Sequence, residues 1–293
     1  MTEEMTGSSE STDASLTGTT LAPAVSKPSL LSPSAAPQGA SVAAFFDVDN
    51  TIIRGASSFH LAKALYRRGF FGTRDILAFA VKQGRYLLFG ENDGDIADVR
   101  SRALGLMKGH SVAEVIAVGE EVYDQVLANR IYEGTKRLLD QHLSAGHQVW
   151  LITATPAEAG ELIARRLGAT GALCTRVESV DGFYTGRLEG EMMHGKSKAT
   201  SAGALAESHG IDLTESFAYG DSTNDIPLLN LVGNPCAINP DSRMRKHAQT
   251  VGWPIRDFRG KRRVARRSLT TASMTGGLWV AVLVIKRLLS RSK

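Results

Sequence analysis

The chain has 293 residues, with 34 Lys and Arg against 30 Asp and Glu, a formal net charge of +4, and two cysteines. That length suits one domain of about 200 residues with an insertion and tails. Cys174 and Cys236 cannot build a disulfide framework, have no His, Cys or Asp neighbours at metal-site spacing, and fit a reducing, cytoplasmic compartment as core residues.

Residues 1–40 contain 8 Ser, 6 Thr and 4 Pro with little apolar periodicity, the composition of a disordered leader. They lack the basic start and apolar stretch of a secretory signal, and they are too acidic for a transit peptide.

Order begins with an apolar run, Val42 to Phe46, that reads as a buried strand of a parallel sheet. It leads directly into Asp47 and Asp49, followed by Asn50 and Thr51. Side chains at i and i+2 leave a strand on the same side, and open α/β sheets carry their sites at these strand ends. Two carboxylates held together repel unless a cation intervenes, and a hard dication with oxygen ligands suits them. The alternative is a capped turn with solvated acids.

Over 56–130 the pattern turns helical. Phe59, Leu61, Ala62, Leu65 and Tyr66 share a face; Ile76, Phe79, Ala80, Leu87 and Leu88 recur at three- and four-residue spacing, as do Val112, Val115, Ile116, Val122, Val126 and Leu127. This predicts an all-helical cap inserted between the first strand and a helix starting near Glu133, able to close over a site and exclude water.

His147 to Thr153 reads as a second buried strand, with Ala154, Thr155 and Pro156 opening a helix. Gly195 to Ala206 begins a helix carrying Lys196 and Lys198, and Ser216 to Gly220 is a strand running into Asp221, with Asp225 four residues on and Pro227-Leu228-Leu229 in the next helix. A Gly-Lys pair at 195–196 can also be read as the end of a phosphate loop. A lysine near a helix N-terminus opposes the dipole, so either one is an ordinary solvated lysine or has a functional reason to be there.

These four segments in this order resemble the signature motifs of the haloacid dehalogenase-like hydrolases, within them subfamily IB, the phosphoserine-phosphatase-like branch. The resemblance spans 42–258. It implies an α/β fold: a Rossmann-like parallel sheet built from 41–55 and 131–258, with the helical, C1-type cap at 56–130. It implies a Mg²⁺-dependent phosphomonoester hydrolase with Asp47 as the nucleophile that forms an aspartyl-phosphate and Asp49 as general acid and base. Thr153 and nearby N–H groups would hold a phosphoryl oxygen. The metal would be bound by Asp47, Asp221 and the carbonyl of Asp49, with Asp225 orienting its shell. Lys198, 23 residues before Asp221, falls at the family's spacing for the lysine that neutralises charge. Phosphoserine phosphatases hold the substrate ammonium with a glutamate at the position of Ala56, and no acid occurs between Asp49 and Asp75. Arg54, Ser57 and Arg102 are the other substrate-binding candidates; Arg102 also reads as a solvated helix arginine. Expected substrates are small-molecule or lipid phosphates, the alternative being a non-catalytic regulator that keeps the fold as a binding module.

The last segment, 259–293, is distinct. From Arg256 to Lys293 there are 11 Lys and Arg and one acid, which leaves 1–255 at −6. The basic balance therefore belongs to the tail and argues against a nucleic-acid-binding face on the body. Ser268 to Ile285 carries no charge between two basic clusters. Its 18 residues span about 27 Å as a helix, marginal for a hydrocarbon core of ~30 Å. Three readings compete: a membrane anchor drawn to anionic lipid, a helix packed back on the domain, and a basic nucleic-acid tail. The excess of basic residues before the apolar run favours a catalytic domain on the cytoplasmic side.

Overall fold

The computed structural model describes residues 39–72 and 104–259. The leader before 39, the Ile76–Leu88 pattern, Arg102 and the tail from 260 lie outside these residues.

The first strand, β1 (Ala43–Asp47), is buried along its whole length. Ala44 and Phe46 enter one hydrophobic cluster and Ala43 and Phe45 the other, so alternation feeds both faces of a central strand. After it come α1 (Ser57–Arg67) and α2 (Val112–Val122), the latter continued by a π-helical turn at Tyr123–Leu127 and a 3₁₀ turn at Ala128–Arg130. The chain returns through α3 (Glu133–Ser144), β2 (Gln148–Pro156), α4 (Ala157–Leu167) and β3 (Gly171–Thr175). An antiparallel pair, β4 (Val177–Val180) and β5 (Phe183–Leu188), precedes α5 (Lys196–His209). The domain closes with β6 (Phe217–Gly220), a 3₁₀ turn at Thr223–Asp225, α6 (Ile226–Leu229), β7 (Asn234–Ile238), α7 (Ser242–Val251) and β8 (Ile255–Arg256).

Six strands form one parallel sheet in the order β3-β2-β1-β6-β7-β8. The chain winds outward from β1 in one direction to β2 and β3, then crosses to β6 on its other side. The ends of β1, β2 and β6 thus meet at a topological switch point, where such sheets bind ligands.

Three local expectations change. The second strand continues to Pro156 and the helix begins only at Ala157, with an irregularity in the β2–β3 register between Thr153 and Pro156. A proline biases the residue before it toward extended backbone, which delays helix entry. The helical faces are also narrower than their spacing suggests: Leu61, Leu65, Val115, Val118, Val122 and Leu127 are buried, whereas Phe59, Tyr66 and Ile116 are exposed. Finally, β4 and β5 form a hairpin turned by Asp181 and Gly182, both at positive φ. Asp-Gly between two short strands is its sequence signal. Backbone bonds from Gly109, Tyr184 and Val112 join this hairpin to the segment entering α2, so strands from the later chain abut the predicted cap.

The buried residues of α1 and α2 share one hydrophobic cluster with Phe46, Leu139 and Leu162 of the sheet and its helices. Both cysteines are buried and free. Among the described residues no helix is long and apolar enough to cross a membrane.

Candidate active site

The loop after β1 folds tightly. The N–H groups of Ile52 and Ile53 both donate to the Val48 carbonyl at 2.9 Å, and Asn50 takes φ 61, a conformation Asn tolerates better than most residues. Asn239 donates from Nδ2 to the Asn50 carbonyl at 2.9 Å, and Thr135 donates to the Thr51 carbonyl at 2.8 Å. The strand end that carries Asp47 is thereby tied to β7 and α3.

Lys198 lies in the first turn of α5, which Gly195 admits with φ 57 and ψ −122. Its buried ammonium donates to Asp47 Oδ1 at 2.6 Å and to Asp225 Oδ1 at 2.7 Å. Two carboxylates offset both burial and the opposing helix dipole. Burial pulls this ammonium's pKa down, but Asp47 and Asp225 outweigh it and the group ends raised. Lys196 is exposed.

Asp225 is held by the Ser222 N–H at 3.3 Å and hydroxyl at 3.2 Å. It packs so closely on β6 that a Cβ at Gly220 would meet Asp225 Cβ at 2.5 Å, which explains the glycine before Asp221.

The carboxylates of Asp47, Asp221 and Asp225 each offer an oxygen within 4.8 Å of the others. Burial, with Asp225 and Asp49 adding to it against the pull of Lys198, raises Asp47 to about 7. Burial and the charges of Asp47 and Asp225 raise Asp221 to about 8. Three acids thus share one ammonium; burial is the main cause that lifts Asp47 and Asp221, and the repulsion among the acids adds to it. This oxygen donor set fits a hard dication such as Mg²⁺.

Asp49 behaves differently. It is half-buried and its carboxylate lies outside that trio, turned toward α1: its Oδ1 accepts from the Ser57 N–H at 2.8 Å and the Ser57 hydroxyl at 2.5 Å. Burial raises its pKa and the Ser57 bonds oppose the rise. Of the ligands expected, the structure therefore gathers the carboxylates of Asp47 and Asp221 and adds that of Asp225. Asp49 could join only through its backbone.

Thr153 is buried at the end of β2, where its hydroxyl donates to Thr155 Oγ1 at 3.0 Å and accepts from the Thr155 N–H at 3.1 Å. Its proton is thus spent inside the protein. Ser57, expected as a substrate contact, is buried against Asp49 and Thr155 instead. Arg54 is exposed, its guanidinium 5.7 Å from the centre of the Tyr132 ring. Arg102 is outside the described residues. Thr155 and Gly220 take part in the arrangement without having been singled out as site residues; Gly220 was legible as the small residue before an acid at a strand end. A cavity of about 350 Å³ lined by Leu173, Cys174, Arg176, Glu191 and Met193 lies beside β3, and none of the carboxylate cluster lines it.

Comparison with known proteins adds four likenesses to this geometry. The haloacid dehalogenase-like hydrolase family model matches residues 44–230. Phosphoserine phosphatase SerB1 of Mycobacterium tuberculosis is 51% identical over 235 residues, which is 80% of this chain and 76% of that protein. A crystal structure of a protein of unknown function from Bordetella pertussis Tohama I superposes with a TM-score of 0.66 at 30% identity, covering 75% of this chain and 99% of that one. A substrate-bound phosphoserine phosphatase, at TM-score 0.52 and 19% identity over 74% of this chain and 92% of that one, shares the fold.

Proposed function

The chain belongs to the haloacid dehalogenase-like hydrolases and is a phosphatase, and we propose that it hydrolyses phosphomonoesters through an aspartyl-phosphate on Asp47 with the help of Mg²⁺. The observation that carries this reading is the cluster of Asp47, Asp221 and Asp225 around the Lys198 ammonium at the switch point of the sheet. Phosphoryl transfer demands an in-line nucleophile and neutralisation of the equatorial oxygens. Asp47 attacks phosphorus, the new Asp47–phosphorus bond replacing the ester bond. Asp49 gives a proton to the departing alkoxide, then takes one from the water that cleaves the acyl phosphate. Lys198 keeps Asp47 ionised and faces the oxygens that gain charge. Asp47 and Asp221, with the Asp49 carbonyl, would hold the metal and Asp225 would orient its shell; the dication supplies charge neutralisation at the phosphoryl oxygens. With the Thr153 hydroxyl engaged by Thr155, the backbone N–H groups at the end of β2 are the better partners for a phosphoryl oxygen.

The substrate reading is a small phosphomonoester, with a lipid phosphate as the variant the basic tail favours. The M. tuberculosis relative is named a phosphoserine phosphatase, yet Ala56 offers no acceptor for a substrate ammonium. A panel of phosphomonoesters that includes phosphoserine, sugar phosphates and lysophospholipid phosphates, read by release of inorganic phosphate, tests both levels. Turnover lost on chelation and regained with Mg²⁺ supports the chemistry, and the preferred ester names the substrate. Release from no ester favours the regulator reading, against which the complete set of acids and lysine speaks. We place the catalytic domain in the cytoplasm or at its membrane face, held there by 268–285; the basic clusters on either side of that run support the attachment.

A further inference from the structure

Ser57 and Asp49 are joined more closely than a chance contact of cap and core requires. Helix α1 begins at Ser57, and its N-cap residue Ala56 supplies no side-chain acceptor. The Asp49 carboxylate takes that place from eight residues upstream, accepting the Ser57 N–H at 2.8 Å, which satisfies an orphan donor and places negative charge at the positive helix end. The Ser57 hydroxyl has a single proton, and it is given to the same Asp49 oxygen. Its 2.8 Å contact with Thr155 Oγ1 must then be one in which Thr155 donates. Thr155 in turn accepts from the Thr153 hydroxyl. Ser57, Thr153 and Thr155 are each 1% exposed, so water does not compete for these bonds. The protons run one way, from Thr153 through Thr155 and Ser57 to Asp49. Both Ser57 bonds fall on Oδ1, and among the described residues Oδ2 takes no hydrogen bond.

We infer that Ser57 is a positioning residue for acid–base catalysis: with Thr155 behind it, it fixes Asp49 by one oxygen and leaves the other to carry the transferred proton. The inserted helical region and the proton donor are thereby set by one residue, since any shift of α1 that breaks the Ser57 bonds also releases Asp49. This inference rests on the role proposed above for Asp49.

Protonation of the leaving group matters for an alkoxide and little for a nitrophenolate, which departs without it. The test compares kcat/KM for an alkyl phosphate and for p-nitrophenyl phosphate, because kcat/KM reports the steps through departure of the leaving group. In Ser57→Ala the ratio of aryl to alkyl kcat/KM should rise about tenfold or more, the effect of losing a hydrogen bond to a charged group. An equal fall on both esters would mean that Ser57 serves structure alone and would overturn the inference. Should Ser57→Ala fail to unfold cooperatively, Thr155→Val carries the test: a smaller rise in the same ratio supports the inference and an unchanged ratio sinks it. Asp47→Asn is run alongside. If that variant still turns over either ester, the underlying mechanism is at fault; if it is inactive and the ratio is unmoved, only the role of Ser57 fails.

Discussion

The ammonium of Lys198 lies 2.6 Å from Asp47 Oδ1, although 151 positions separate the two residues. Because the same nitrogen reaches Asp225 at 2.7 Å, one buried cation joins β1, α5 and the turn after β6. Lys198→Met would leave two buried carboxylates facing each other without compensation. Breaking a buried ion pair from one side costs about 3–5 kcal/mol. Urea unfolding should show that loss as a lower midpoint at unchanged slope. A variant as stable as the parent would mean that the lysine does not hold this junction together.

Asp47→Asn keeps the size of the side chain but removes the charge of the oxygen proposed to attack phosphorus. Turnover of p-nitrophenyl phosphate should fall by at least ~10³-fold, in the range set by loss of a covalent nucleophile. The circular dichroism spectrum should stay native, since Lys198 retains Asp225. Substantial residual turnover would remove Asp47 from its role.

The metal-free site should make stability depend on pH. Asp47 and Asp221 are raised from 3.8 to about 7 and about 8. Acids raised on folding bind more protons in the native state than in the unfolded one. Their contribution is therefore complete below the unfolded value and lost as pH climbs through the native values. In excess EDTA, Tm should fall between pH 4 and 8. Added Mg²⁺ should raise Tm most at the alkaline end, because it binds the ionised forms. A stabilisation by Mg²⁺ that is flat across this range would contradict the assignment of these two acids as its ligands.

Gly220→Ala places a methyl group 2.5 Å from Asp225 Cβ and 2.8 Å from its Oδ2. Neither partner can move without disturbing Lys198 or Ser222, so overpacking of about 1–3 kcal/mol is expected. Activity should fall further than stability, because Asp221 follows directly. Thermal melts and kcat measured on the same preparation check both, and a variant that matches the parent in each would show that the turn after β6 has slack.

The tail is tested by flotation with anionic liposomes. The cut belongs after Arg259 rather than earlier, since the Phe258 ring lies against Gly134 and the Phe258 N–H donates to Asn239 at 2.7 Å. The full chain should float and the shortened one should not. Equal flotation would discredit 260–293 as the attachment.

Much of this protein is local and could be read along the chain. The apolar runs ending at Asp47, Thr153 and Gly220 form parallel strands because each is long and apolar enough to be buried on both faces, and this put the three strand ends at one edge. What required the tertiary structure is direction. Lys196 and Lys198 stand two residues apart on one helix turn, and only packing of α5 against the sheet sends one into the cluster and leaves the other in water. Asp47 and Asp49 leave the same strand end with identical chemistry, yet one meets an ammonium and the other a helix start. Ser57 reads as a substrate-binding candidate along the chain because nothing in its sequence neighbourhood reveals Thr155, 98 positions away. Spacing along a chain determines which side chains share an element's face. What each face then meets depends on how elements far apart in sequence pack, and that packing set Asp47 against the Lys198 ammonium and Asp49 against the start of α1.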